Sequence, residues 1–589
     1  MREEITTRWD LSSLAPESPE KFTAQLEGSV EEAVSLGKTY RGRIASLDAK
    51  ALLEALLCYE KLQTSVIKPQ YYAHLLFAED SGSDLARRLS QEAAEAGNRL
   101  SRELLFFDLE IMDIPEERFN SFDKDPLLRN YRHYLSMIRK FTAFTLPERE
   151  EQLLKLKDLT GTTAFVRLFD ELSASFTFTM EIEGESRELT GEELLGYLHH
   201  PDRGLRERAF SLFLERHAEH SLVYGTIFNT IALDHAKEME LRGYTHPMQS
   251  TNIGNELPDE SVRQLMKVTE ANYPLAQEYF RLKAKLLGLD KLKNTDIYAP
   301  LAENSRKYTF EEAMDIVLDS YGSFNPGYRK LIEPLFHKGR IDVHPRSGKS
   351  GGAFCMGISP DVTPYVLLNF TANLRDVATV AHELGHALHF ILAGKQSMIN
   401  YHAPLPLAET ASVFGEMLLT RKMLDTESDP GVKISLLCAK IEDIIATTFR
   451  QIVLTRFEER LHLERNKGLL VDARICELWL EENGKLFGDT VEMIDAYKWG
   501  WSYISHFIHT RFYCYSYTFA ELLVLAIYRE YQLKGAGFIP GYDALLSSGG
   551  SLTPADTAAL AGIDITEAGF WQKGYDILEE LLGELKKLV

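Results

Sequence analysis

The chain lacks a disulfide framework. Its five cysteines, Cys58, Cys355, Cys438, Cys476 and Cys514, are odd in number, scattered, and free of any CxxC pair. A cross-linked secreted scaffold is therefore not expected, a reducing cytoplasm is, and each thiol reads as a small buried apolar group. Proline is scarce as well: 21 residues in 589 fall below the usual ~5%, which leaves room for long helices. Positive charge is in deficit. Lys plus Arg is 65 against 87 Asp plus Glu, a net charge of −22, and such a field repels nucleic-acid backbones and anionic membrane surfaces, so neither is an expected partner. No run approaches the ~18 apolar residues of a membrane span; LLVLAIY at 522–528 is interrupted within two helical turns. The opening MREEITTRWDLSSL has no apolar core, so no secretory signal is expected there.

What is present is an average soluble composition, 45% apolar and 26% charged, on a chain too long for one hydrophobic core. Apolar positions recur at helical spacing through the first hundred residues, as in Leu52, Leu53, Leu56, Leu57 and Tyr59. Phe176, Phe178, Met180 and Ile182 alternate with polar residues before a Glu-Gly turn and predict a hairpin. Two amphipathic helices come after it in DRGLRERAFSLFLERHAEH and YGTIFNTIALDHAKEMELRGY, then one long helical pattern from DESVRQ to KAKLLG. A Gly and Ser loop, RSGKSGGAFCMG, runs into the apolar stretch Tyr365 to Phe370, which suits a strand, and beyond Asn373 the pattern is again almost wholly helical. This divides the chain into a helical N-terminal region (1–115), a helical and hairpin connection (116–200) and a remainder (201–589) that carries the candidate site.

That site is VAHELGHALH, Val380 to His389. Residues four apart share a helical face, so His382 and His386 can present two imidazole nitrogens to one ion, with Glu383 about 100° around the axis. The flanking Val377, Val380, Ala381, Leu384, Leu388 and Ile391 make the helix a buried one, where two unpaired histidines are costly and a metal resolves the cost. A catalytic zinc takes three protein ligands and keeps one position for water. In the extension HExxHxxGxxH the glycine falls at His389 and the third histidine at Leu392, so the third ligand must lie elsewhere. LAETASVFGEML offers Glu409 and Glu416, seven residues apart on one helical face with Ser412 between them. One can ligate while the other supports.

Together HELGHALH, ETASVFGE, the upstream GGAFCMG loop and the downstream HFIHTRFYCYSYTFAE resemble the thimet oligopeptidase and oligoendopeptidase F family of zinc peptidases, in order over about 200–580. The opening RWDLSSL is similar to the oligoendopeptidase F branch. The resemblance implies a mainly α metallopeptidase with a deep central channel and a small β-sheet near the zinc site. It implies one zinc ion held by His382, His386 and Glu409, Glu383 as the base, and Glu416 as a supporting group. It also places a histidine and two or more tyrosines of HFIHTRFYCYSYTF over the zinc. If that segment is helical, His506, Thr510, Tyr513 and Tyr517 share a face; if extended, Tyr513, Tyr515 and Tyr517 do. His506, Tyr513 and Tyr517 are the choice, with Tyr515 open as the inner donor to the oxyanion. His389 and His509 read as supporting or packing groups. The glycine loop reads as a plain turn or a flap, and the strand Tyr365 to Phe370 as one that pairs with a bound peptide.

The expectation is a cytoplasmic zinc endopeptidase of short peptides. Its rivals are a zinc carboxypeptidase, which needs a basic pocket for a terminal carboxylate, and a noncatalytic helical peptide-binding protein with a structural metal, in which Glu383 has no task.

Overall fold

The computed structural model describes residues 4–301 and 306–589, so the first three residues of the opening stretch lie outside it. Helix dominates, as expected. By contacts the chain forms two compact units of non-consecutive segments: Met1–Thr142, Ser305–Thr426 and Glu530–Asp564 in one; Ala143–Asn304, Glu427–Arg529 and Ile565–Val589 in the other.

The first unit begins with three mutually packed helices, Pro19–Tyr40, Ala49–Glu79 and Asp84–Met112. Each starts where the side chain of Ser18, Asp48 or Ser83 accepts a hydrogen bond from the third helical amide, which satisfies a donor that the helix leaves open. The buried stripe is Leu52, Leu56, Tyr59 and Leu62. Leu57, expected in it, is exposed instead, because one position further rotates a side chain ~100° off the stripe. Tyr59 stacks on Phe107 with centroids 4.5 Å apart. The RWDLSSL stretch folds against a small sheet of the same unit: the Asp10 amide donates to the Gly339 carbonyl at 2.7 Å, and Trp9 meets Tyr365 edge-on at 6.2 Å.

The expected hairpin forms in the second unit. Strands β1 (Thr177–Ile182) and β2 (Glu185–Thr190) pair antiparallel with Phe178, Met180 and Ile182 buried. Glu183 and Gly184 both take positive φ, 53° and 84°, the turn whose twist matches that of the flanking strands. The helices Arg203–Glu219 and Ser221–Arg242 come next. The long pattern after them is two helices, Asp259–Ala271 and Tyr273–Leu286. They part at Asn272, because Pro274 supplies no amide and disfavours continuous helix before it. Short strands β3 (Leu292–Lys293) and β7 (Val491–Glu492) pair in parallel in this unit.

A three-stranded sheet in the first unit corrects the role expected for Tyr365 to Phe370. Strand β6 (Tyr365–Leu367) is central, parallel to β4 (Ile341–Asp342) on one side and antiparallel to β5 (Phe354–Met356) on the other. Its backbone groups are engaged on both edges, so it cannot take up a peptide strand. β5, part of the GGAFCMG stretch, is an edge strand. The loop before it is tied down: the Asn369 side-chain amide donates to the carbonyls of Ser350 and Gly352 at 2.9 and 2.8 Å, and the Ser350 backbone amide donates to the Ala78 carbonyl at 2.9 Å.

Candidate functional site

The HExxH sequence lies in the helix Leu374–Ala393, which opens with a reciprocal cap between Asn373 and Asp376. The next long helix, Thr410–Thr426, is its main packing partner. Close approach of the two requires Gly385: a β-carbon there would stand 2.4 Å from the Ala411 carbonyl oxygen and from the Ser412 α-carbon. At Gly357, just after β5, a β-carbon would overlap the Phe390 ring at 2.4 Å. Both glycines of these motifs are thus spacers that set helix and strand against the HExxH helix. We expect Gly385→Ala to destabilise the fold by about 1–3 kcal/mol, the cost of an overfilled contact. Metal content should fall in parallel, since the added methyl pushes the HExxH helix away from the segment that carries the candidate ligand Glu409. Unchanged melting temperature and metal content would mean that the helices adjust freely.

Across that contact three donor atoms converge. His382 Nε2 and His386 Nε2 are 3.2 Å apart, and Glu409 Oε2 lies 3.4 Å from the first and 3.3 Å from the second. Among the described residues this is the group of histidine, cysteine and carboxylate side chains that could hold a metal ion. Ligands ~2.0–2.1 Å from a tetrahedral zinc stand about 3.3–3.4 Å from one another, so the triangle fits one face of such a site. The second ring atom of His382, Nδ1, lies 2.6 Å from Glu416 Oε1, which fixes the ring and leaves Nε2 for the ion. Ser412 Oγ donates to Glu409 Oε2 at 2.6 Å. His389, buried on the same helix, bonds to the Ala408 backbone and so steadies the residue before Glu409.

Burial works to lower the His382 pKa, but the carboxylates of Glu416, Glu409 and Glu383 outweigh it and lift it to about 9. Burial works the opposite way on Glu409, where His386, His382 and Ser412 prevail and hold the carboxyl at about 2. Proton and cation compete for the same imidazole lone pairs, so metal uptake here should release protons. Glu383 is 6% exposed; burial raises its pKa against the opposing pull of His382 and His386. Its Oε2 has no hydrogen-bond partner among the described residues, which suits a carboxylate that must accept a proton from something bound. Burial, and next the Glu383 charge, push the Cys355 thiol well up, so edge strand β5 lies within reach of the Glu383 field.

His506, Tyr513 and Tyr517 gather in the second unit. His506 Nε2 is 3.3 Å from the Tyr517 hydroxyl. The rings of His506 and Tyr513 stack at 5.9 Å, and those of Tyr513 and Tyr517 meet edge-on at 5.1 Å. The segment is neither one helix nor a strand. A single helical turn, His506–His509, is separated from the helix Tyr515–Lys534 by a bend in which Phe512 has φ +54°. Glu458, 2% exposed, accepts the Phe512 amide at 2.8 Å, and burial pushes its carboxyl up to about 8. Thr510, which a continuous helix would have put on the same face, is exposed and outside the ring contacts. Tyr515 is fully buried with its hydroxyl accepting from Asn255 at 2.9 Å, so it packs as core. His509 pairs with Asp170 at 2.8 Å on the surface. Of the cysteines, Cys438, Cys476 and Cys514 are buried as expected, Cys355 is half-buried, and Cys58 is exposed. Glu458 and Asn255 have no motif signal in the sequence; each lies far along the chain from the bend it supports.

A mainly helical protein with an HExxH helix and a glutamate set just before the next long helix has the donor set of a glutamate-liganded metallopeptidase. Comparison with known proteins gives the peptidase family. The family model of Peptidase family M3 matches residues 196–577, and that of Oligopeptidase F matches 110–178. The chain belongs to peptidase family M3 and is an enzyme. It is 25% identical over 588 residues to oligopeptidase PepF of Bacillus subtilis, covering 99% of this chain and 87% of that protein. It is 26% identical over 589 residues to the group B oligopeptidase PepB of Streptococcus agalactiae, covering 99% and 97%. A Chlamydophila abortus protein described as a peptidase superposes with a TM-score of 0.89 at 25% identity, covering 100% of this chain and 99% of that one. Oligoendopeptidase F of Enterococcus faecium shares the fold, with a TM-score of 0.72 at 24% identity over 97% of this chain and 98% of that one. No helix among the described residues is long and apolar enough to cross a membrane.

We expect Glu416→Gln to weaken metal binding by about 10–100-fold while leaving some activity at saturating metal, because it loosens the His382 ring without removing a ligand. His382→Ala and Glu409→Ala should lose the metal outright. Titration with a zinc-competing chelator distinguishes the two, and equal affinities for Glu416→Gln and the parent would remove Glu416 from this role.

Proposed function

We propose that the chain is a zinc-dependent endopeptidase that hydrolyses short peptides, with Glu383 as general base. The observation that carries this reading is the convergence of His382, His386 and Glu409 within 3.2–3.4 Å of one another beside a buried carboxylate whose Oε2 has no partner among the described residues. When bound there, zinc supplies Lewis acidity, polarising a carbonyl and acidifying a water. Glu383 takes the proton of the attacking water and returns it to the leaving amine nitrogen. Tyr517, with His506 against its hydroxyl, donates to the oxygen that becomes anionic, and edge strand β5 offers backbone groups to an extended peptide. The restriction to oligopeptides is supported by the names of the relatives from Bacillus subtilis and Streptococcus agalactiae.

The test is a digest of a mixed peptide library with and without chelator, read by mass spectrometry. Internal cuts in short peptides that disappear with chelator and return with zinc are expected, while folded proteins resist. Removal of single C-terminal residues would favour the carboxypeptidase reading, and chelator-resistant cutting would remove the metal from the mechanism.

A further inference from the structure

The second unit encloses a cavity of about 280 Å³ that none of the metal-site residues lines. Its walls are mostly apolar, with Phe210, Phe280, Leu486 and Phe487 among them. Into this apolar surrounding the chain places a guanidinium, that of Arg450. Arg450 donates to the hydroxyl of Tyr298 at 2.8 Å and to that of Tyr503 at 3.2 Å, and among the described residues no carboxylate pairs with it. Glu442, the one carboxylate on the lining, is already engaged by buried Lys283 and by the Tyr279 hydroxyl. With Lys283 behind the wall neutralising Glu442, the Arg450 guanidinium is left as a positive charge on the lining that no carboxylate among the described residues offsets. An arginine cannot shed its proton and has five donors, of which two hydroxyls use two. Arg450 is half-buried, and holding such a charge in a mostly apolar cavity without a counter-ion is costly.

Two further observations point the same way. Asn294, 6% exposed, lines the cavity; its oxygen accepts the Ile494 amide at 2.9 Å, but its side-chain nitrogen has no partner among the described residues. A lining residue thus holds a buried donor without an acceptor. Arg450 also comes directly after a π-helical turn, Ile445–Phe449. One residue added to a helix rotates the turns beyond it by ~100°, and such insertions are frequent at functional sites. Here the turn brings Ile445, Ala446 and Arg450 to the same lining.

We propose that this cavity is a second binding site and that it takes a small monocarboxylate with an apolar or aromatic body, the carboxylate on Arg450 and the body among the phenylalanines. The planar fork of a guanidinium matches a carboxylate. One uncompensated cation suits one negative charge. The volume lies just below the ~300 Å³ at which drug-sized pockets begin, so it holds a group about the size of one amino acid. His199 on the lining is exposed and marks the mouth. Two sources share this chemistry: a free small acid, and the C-terminal residue of a peptide.

The probe is N-acetyl-phenylalanine, compared with its uncharged amide by isothermal titration calorimetry. The acid should bind and the amide should bind at least about ten-fold more weakly. Arg450→Gln should lose the preference for the acid. Ala446→Leu fills the cavity from the wall without removing the guanidinium and should abolish binding of both, with melting temperatures confirming that each variant is folded. A peptide ending in phenylalanine, tested on the Glu383→Gln protein so that it stays intact, then separates the sources. Competition with the acid identifies a peptide C-terminus as the occupant, and no competition identifies a free acid. Equal affinity for acid and amide, binding indifferent to both variants, or no binding at millimolar acid overturns the proposal. Because the readout is heat of binding, its failure is distinct from any failure of peptide hydrolysis.

Discussion

Glu383→Gln is expected to remove nearly all turnover while the protein keeps its metal and its melting temperature. The carboxylate is 6% exposed, and burial raises its pKa, the direction that makes a carboxylate a stronger base. Glutamine fills the same volume but has no basic oxygen. General base catalysis contributes about 10²–10⁴ in rate, so kcat should fall by that factor with KM little changed. The imidazoles and Glu409 are untouched, so metal analysis should return the parent stoichiometry. A variant keeping more than about a tenth of the parent kcat would be incompatible with the rate factor that a general base supplies.

The convergence of the candidate metal donors is legible in the sequence because they are local. An i, i+4 pair on an apolar helix reaches one point in space wherever the helix lies, and Glu409 and Glu416 sit two turns apart at the start of the next long helix. The hairpin is legible for the same reason, since the Glu183-Gly184 turn specifies its own register. The features that stay hidden depend on distant partners. The strand Tyr365 to Phe370 reads as peptide-binding until β4 and β5 arrive on its two edges. The fate of each tyrosine after His506 turns on Phe512, whose φ of +54° is unusual for a bulky residue and is held by Glu458, 54 positions upstream. Unit boundaries are hidden as well, because segments separated by more than a hundred residues share one unit, and a linear pattern carries no trace of that pairing.

Tyr517→Phe is expected to lower kcat by about 10²–10³, the cost of removing one donor to an oxyanion, while KM stays nearly constant. In the proposed role the hydroxyl meets the substrate oxygen as a strong acceptor only once it is anionic, so its contribution falls on the transition state. Its setting supports that use: the ring is half-buried, the hydroxyl is 3.3 Å from His506, and Tyr513 packs edge-on against it. Tyr515, two residues away, is the internal control. Its hydroxyl is enclosed and accepts from Asn255 at 2.9 Å, so Tyr515→Phe should cost about 1–2 kcal/mol of stability and leave kcat within a small factor. Tyr513→Phe should fall between, since Tyr513 touches His506 and Tyr517 through its ring, which the phenylalanine keeps. Measured side by side, kcat, KM and melting temperature separate the three. A large kcat loss in Tyr515→Phe with Tyr517→Phe near the parent value would place the oxyanion donor on the buried side of the bend, which its bond to Asn255 opposes. If all three keep the parent kcat, His506 is left as the donor, and His506→Ala should then carry the whole loss.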